Sequence, residues 1–205
     1  MQLTSQQRGK KILWEIKDLL TGAAFPFMLQ LVFSASVILF ADYGDEPALA
    51  AVILCFGELL VGAAYFICGR QNGVTAYRRT VQNEKKRAIG SDDLKAQLHT
   101  GEYALYKGVL IGFISCVPYI IFQFIECLAH NSFCAFLLKY AFGWAVYPFT
   151  LIGRSAGSLS PWLNFVWVVV PVAVHAVAYF IGGRKESARQ QIVAQAQESR
   201  DKRRK

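Results

Sequence analysis

Charge is scarce over most of this chain. Across residues 23–69 and 108–183 the only charged side chains are Asp42, Asp45, Glu46, Glu58, Glu126, Lys139 and Arg154. Uninterrupted apolar runs of about 18 residues or more argue for membrane spans and against a water-soluble core. Cysteine is limited to five, an odd number that does not read as a disulfide framework. Catalytic signatures are missing as well. There is no H-E-x-x-H, G-x-S-x-G, Walker loop or dinucleotide fingerprint, so no enzymatic reading leads. No internal repeat supports an inverted-repeat transporter. The first apolar run starts late and lacks a small-residue cleavage site, so no cleavable signal peptide is expected.

What the chain does have is hydrophobicity and clustered positive charge. It is 54% hydrophobic with mean hydropathy +0.31, and its net charge is +8. The segment Gly69–Lys107 is the only long polar stretch between apolar ones. It carries Arg70, Arg78, Arg79, Lys85, Lys86, Arg87, Lys95 and Lys107 against Glu84, Asp92, Asp93 and Glu102. Short basic connections between membrane helices stay on the cytoplasmic side, and this assignment orients every other segment. Positive charge distributed in this way answers to membrane orientation; no nucleic-acid partner is expected.

Residues 1–22 read as a cytoplasmic amphipathic lead-in helix, with Ile12, Leu13, Ile16, Leu19 and Leu20 at helical spacing and Trp14 at head-group depth. It either lies on the membrane surface or simply leads into the first span. The body, 23–182, contains spans at 23–41, with Pro26 in the first turn, and at 47–68, 108–128 and 162–181. The loop 42–46 has no Lys or Arg and reads as extracytoplasmic. Within 69–107, residues 76–88 suit a helix, and Ser91 with Asp92 and Asp93 suits the start of a second short one.

A fifth apolar run, 134–152, creates a problem of parity. If it crossed, the basic tail 183–205 would lie outside. That run holds Lys139, Gly143, Pro148 and six aromatics, which suit an interface better than a hydrocarbon interior. The expected fold is therefore an all-α integral membrane protein with four transmembrane helices plus one re-entrant or interfacial segment. Five transmembrane helices are the alternative. With four, 20 of 22 basic residues are cytoplasmic, together with both termini, and Lys139 and Arg154 are the exceptions. A small, loop-poor chain of this kind suggests a bacterial cytoplasmic membrane. The Lys202–Lys205 cluster suits either anionic lipid or solvent.

Steps of four and three residues trace small and polar stripes along the spans. They place Gln30 and Ser34 in the first span and Glu58 and Tyr65 in the second. Ser115 and Tyr119, with Gln123 adjacent, belong to the third, and Asn164 and His175 to the last. Gly108-x-x-x-Gly112 adds a close-packing motif. At 1.5 Å per residue, Glu58, Ser34 and Tyr119 fall about 16 Å from the cytoplasmic end, and Gln30, Ser115 and His175 about 10 Å. A carboxylate at such depth must be protonated, paired or hydrated. Tyr119 is placed to donate a hydrogen bond to Glu58, and Pro118 and Pro171 leave backbone carbonyls needing partners.

The candidate binding residues are therefore Gln30, Ser34, Glu58, Ser115, Tyr119 and His175, serving a small solute or a proton in a polar seam. Helix-to-helix adhesion by the same groups is the plain structural alternative. No cofactor is expected. Glu126, Cys127, His130 and Cys134 form a sparse set of metal-type ligands at the outer end of the third span, where a Cys127–Cys134 disulfide is also conceivable. A non-catalytic adaptor or assembly subunit, with a membrane-protein partner or as a homo-oligomer, is the competing function. An intramembrane enzyme ranks behind both.

Overall fold

The computed structural model describes residues 5–41, 47–90, 94–98, 103–146 and 160–204. Every regular element among them is helical: α1 (Ser5–Ala41), α2 (Pro47–Ala88), α3 (Leu94–Leu98), α4 (Leu105–Ala129) and α5 (Ser132–Ala141). A 3-10 segment, η1 (Pro161–Val168), then continues directly into α6 (Val169–Arg204). Four of these helices, α1, α2, α4 and η1–α6, are long and apolar enough to cross a membrane. The protein is a four-helix integral membrane protein with an additional short apolar helix. The acidic connection 42–46 and the expected helix start at Ser91, Asp92 and Asp93 lie outside the described residues.

Burial runs opposite to that of a water-soluble domain. Phe25, Val52, Phe56, Leu59, Phe113, Ile121, Val166 and Val177 are exposed, while Gln30, Ser34, Ser115, Gln123, Asn164 and His175 are buried. An outward belt of this kind suits lipid, and polar groups turned inward avoid it.

Contacts fix the helix directions. Gly22 and Gln30 of α1 meet Asn72 and Tyr65 of α2 in reverse order. Along α2, Gly69, Gly73 and Arg78 meet His175, Tyr179 and Glu186 of α6 in the same order. Thus α1 and α4 run one way and α2 and α6 the other. The start of α1, residues 70–90, α3, the start of α4 and the end of α6 share one end of the bundle, the basic end.

The long polar segment is less of a loop than its composition suggests. Helix α2 is 42 residues long and continues through Ala88, and α6, which packs beside it as far as the Arg78–Glu186 pair, runs on to Arg204. Glycine makes that pairing close. A Cβ on Gly69 would lie 2.5 Å from the His175 carbonyl oxygen, and one on Gly73 or Gly182 would collide with the Tyr179 or Arg70 carbonyl. The backbones touch where side chains are missing. Beyond the glycines, Arg78 grips buried Glu186 with Nε at 2.9 Å from Oε1 and Nη2 at 3.3 Å from Oε2. The guanidinium holds the Glu186 carboxyl below its usual range. Helix α1 is likewise unbroken from Ser5, so Pro26 lies deep inside a 37-residue helix and not in a first turn.

Helix α5 has ten residues, about 15 Å of helix, too short to cross a hydrocarbon core of about 30 Å. The side chain of Asn131 caps it by accepting from the Phe133 and Cys134 amides. Its aromatics divide: Phe133 and Phe136 are exposed, whereas Phe142 and Trp144 just beyond it are buried. Those two pack on Tyr119, with ring centroids 5.7 and 5.8 Å away, so the segment inserts between the spanning helices. Residues 147–159, including Pro148 and Arg154, lie outside the described residues.

Candidate functional site

Five of the six candidate residues are fully enclosed: Gln30, Ser34, Tyr119 and His175 at 0% exposure and Ser115 at 1%. Glu58 is half-buried at the margin of the seam. These residues form separate hydrogen-bonded groups stacked along the bundle, and not one continuous chain.

Nearest the basic end, His175 is held from both sides. Nδ1 lies 2.8 Å from the Gly108 carbonyl, which can only accept, so Nδ1 carries the hydrogen. Nε2 lies 3.3 Å from Asn72 Nδ2, which also donates to the Gly22 carbonyl at 3.1 Å. One amide nitrogen with two hydrogens thus serves two acceptors, and Nε2 is the unprotonated side of a neutral imidazole. The Gly22 carbonyl needs this donor for a local reason. Proline has no N–H, so Pro26 leaves unmade the helical bond to the residue four positions earlier, which is Gly22. Asn72 on α2 repairs the gap. Residues from α1, α2, α4 and α6 meet at this one knot.

A second group lies deeper. The Tyr65 hydroxyl donates to Gln30 Oε1 at 2.6 Å, and Gln30 Nε2 donates to the Ser115 carbonyl at 3.1 Å. Ser115 Oγ lies 3.0 Å from the Tyr65 hydroxyl and 2.7 Å from the Gly112 carbonyl. Both polar atoms of the Gln30 side chain have a partner here. The group fastens α1, α2 and α4.

Toward the other end the partners differ from those expected. Tyr119 donates to the Asn164 carbonyl at 2.9 Å, not to Glu58. Glu58 Oε2 instead accepts from Trp167 Nε1 at 3.2 Å, and Gln123 Nε2 donates to the Pro161 carbonyl at 3.2 Å. In a 3-10 helix, residues three apart eclipse one another. Pro161, Asn164 and Trp167 therefore share one edge of η1, which receives α4 and α2. Of the six candidates, two keep a buried oxygen without a partner among the described residues: Ser34 Oγ and Glu58 Oε1.

Asn72, Tyr65 and Trp167 complete the arrangement beyond the six candidates. Asn72 continues the α2 stripe, seven residues past Tyr65, but lies beyond the end assigned to the span at Cys68. Trp167 falls off the α-helical stripe because its segment is 3-10. The outer ligand set does not gather. Cys127 and Cys134 are free thiols, His130 caps α4 in a left-handed conformation with φ 46°, and no three metal-type side chains cluster among the described residues. Comparison of the chain with family models, curated proteins and solved structures found no match.

Proposed function

We propose that this protein binds a small solute or a proton within its polar seam, with the basic end in the cytoplasm. The supporting observation is the pair of unpartnered oxygens, Ser34 Oγ and Glu58 Oε1, beside the fully bonded Gln30–Tyr65–Ser115 group. A seam built only to fasten helices satisfies its own polar atoms, because an unmet buried group costs about 1–3 kcal/mol. Oxygens left open at membrane depth suit a guest that supplies the missing hydrogen bonds: water, a proton carrier or a small polar solute. The Gln30–Tyr65–Ser115 group is then the frame, and Glu58 with Ser34 the receiving surface.

The test is flux in reconstituted vesicles. The Glu58→Gln variant is expected to fold, to keep the Trp167 contact, and to lose pH-dependent proton or solute flux. Flux unchanged from wild type would remove Glu58 from the function.

A second reading, a membrane adaptor or assembly subunit, draws on the paired extension of α2 and α6. The part of α2 beyond Cys68, residues 69–88, corresponds to about 30 Å of helix. Ile192 at 66% and Val193 at 49% exposure are apolar side chains on the matching part of α6. Co-purification of a stoichiometric partner that is lost when both become Ser would favour it.

A further inference from the structure

Beyond the Gln30–Tyr65–Ser115 group, on the side away from the basic end, buried polar atoms without a partner form a ladder. Ser34 lies about 6 Å beyond Gln30 along α1, and Glu58 about 10 Å beyond Tyr65 along α2. Gln123 and Glu126 follow about 12 and about 16 Å beyond Ser115 along α4. Ser34 Oγ, Glu58 Oε1, Gln123 Oε1 and Glu126 Oε2 are each enclosed and unbonded among the described residues. The inserted segment adds a donor to these oxygens. The Trp144 ring lies 5.8 Å from that of Tyr119, one turn beyond Ser115, and its Nε1 has no partner either. Ser34, Gln123 and Trp144 are between 0 and 1% exposed. Five such groups left dry in one stretch of a bundle are costly, and buried water is the usual remedy.

We propose that these five groups line a file of ordered water that enters from the face opposite the basic end and stops at the Gln30–Tyr65–Ser115 group. The mixed lining selects water over an ion. Trp144 Nε1 needs an acceptor, whereas Gln123 Oε1 needs a donor. A metal ion would leave the indole unmet and a simple anion the amide oxygen; water serves both. The stop is equally marked. Gln30, Tyr65 and Ser115 bond to one another and to the backbone, and Asn72 and His175 do the same nearer the basic end. On the far side of Asn72 a cavity of about 130 Å³, lined by Gly22, Asn72, Thr75 and Tyr179 among others, opens at the basic end. The stretch of α2 from Tyr65 to Asn72 spans about 10 Å, so a short closed section, with Cys68 buried inside it, separates the two. This inference rests on the seam reading for the purpose of the water. It deepens that reading by giving the face from which a guest reaches Glu58 and the layer that must open to pass it on.

Two measurements on the full-length protein test the file. Hydroxyl radicals made by radiolysis mark side chains that have water beside them, whether or not bulk solvent reaches them. In the wild type, buried Trp144 is expected to be oxidised within about tenfold of the rate of Trp162, which is 46% exposed. Direction is read with silver ion, narrow enough to follow water and captured by thiolate, added to one side of reconstituted vesicles. Captured cysteines are those that later fail to react with N-ethylmaleimide, identified by mass spectrometry. Ser132→Cys reports the far face and Ile192→Cys the basic one, both positions being exposed. Ser34→Cys, a change of one atom, should be captured at least about tenfold faster from the face that captures Ser132→Cys than from the other, and native Cys68 should be spared from both. Capture of Ser34→Cys from the basic face, no capture from either face, or an unoxidised Trp144 would overturn the proposal. Neither readout depends on flux. Labelling as expected with flux unchanged in Glu58→Gln would sink the seam's function and keep the water file, whereas flux lost in that variant with Trp144 dry would do the reverse.

Discussion

The repair of the Pro26 gap by Asn72 makes a quantitative prediction. Asn72→Leu removes the donor to the Gly22 carbonyl at 3.1 Å and the donor to His175 Nε2 at 3.3 Å. Each buried acceptor left bare costs about 1–3 kcal/mol. Pro26→Ala returns an N–H at position 26, and the Gly22 carbonyl regains its partner within α1. In that background Asn72→Leu deprives only His175. The cost of losing Asn72 should therefore be smaller in the Pro26→Ala background than in the wild type, by about 1–2 kcal/mol, whatever the Pro26 substitution costs by itself. The assay is reversible unfolding of wild type, the two single variants and the double variant in mixed micelles, followed by the fluorescence of the four tryptophans. Penalties equal within about 0.5 kcal/mol would show that the two positions do not communicate, and the assignment of Asn72 as a substitute backbone donor would fall.

Two further outcomes follow from the basic end. Gly73→Ala places a Cβ against the Tyr179 carbonyl, a backbone atom that cannot rotate away. It should destabilise the α2–α6 pair by about 3 kcal/mol or more, whereas Gly62→Ala, where nothing lies within 4 Å, should be nearly neutral in the same unfolding assay. Glu186→Gln should lower the unfolding temperature at pH 7. The folded-state carboxyl titrates below its ordinary value of 4.5 because Arg78 stabilises the charged form. The wild-type advantage is therefore complete above that value and disappears as pH falls through the lower, folded-state one. An advantage that stayed constant down to acid pH would refute the ion-pair assignment.

Several tertiary contacts were readable as pattern. The 4-and-3 stripes named Gln30, Ser115, Tyr65 and His175, and these are buried against one another because small and polar residues are what membrane helices turn inward. Gly108 and Gly112 meet Tyr179 and His175, as a close-packing motif requires. The pairing of Glu58 was not readable. Its partner depends on whether residues 161–168 wind at 3.6 or 3.0 per turn, and the apolar run Trp162–Val170 is compatible with either. The reach of α2 was also hidden. Residues 69–88 are as polar as a loop, and their helix rests on α6, through glycine contacts and Glu186, and not on an apolar stripe of their own.

The sequence alone determined that this chain lives in lipid and that four segments are long and apolar enough to span it, while it left a fifth crossing at 134–152 as the alternative. Those features follow from length, hydrophobicity and charge placement, which act on each segment separately. Only the tertiary structure decided which donor answers which acceptor: Asn72 for the carbonyl opened by Pro26 and Trp167 for Glu58. Such pairings depend on the relative rotation and register of helices distant in sequence, and a shift of one residue, about 100° of turn, would exchange every partner.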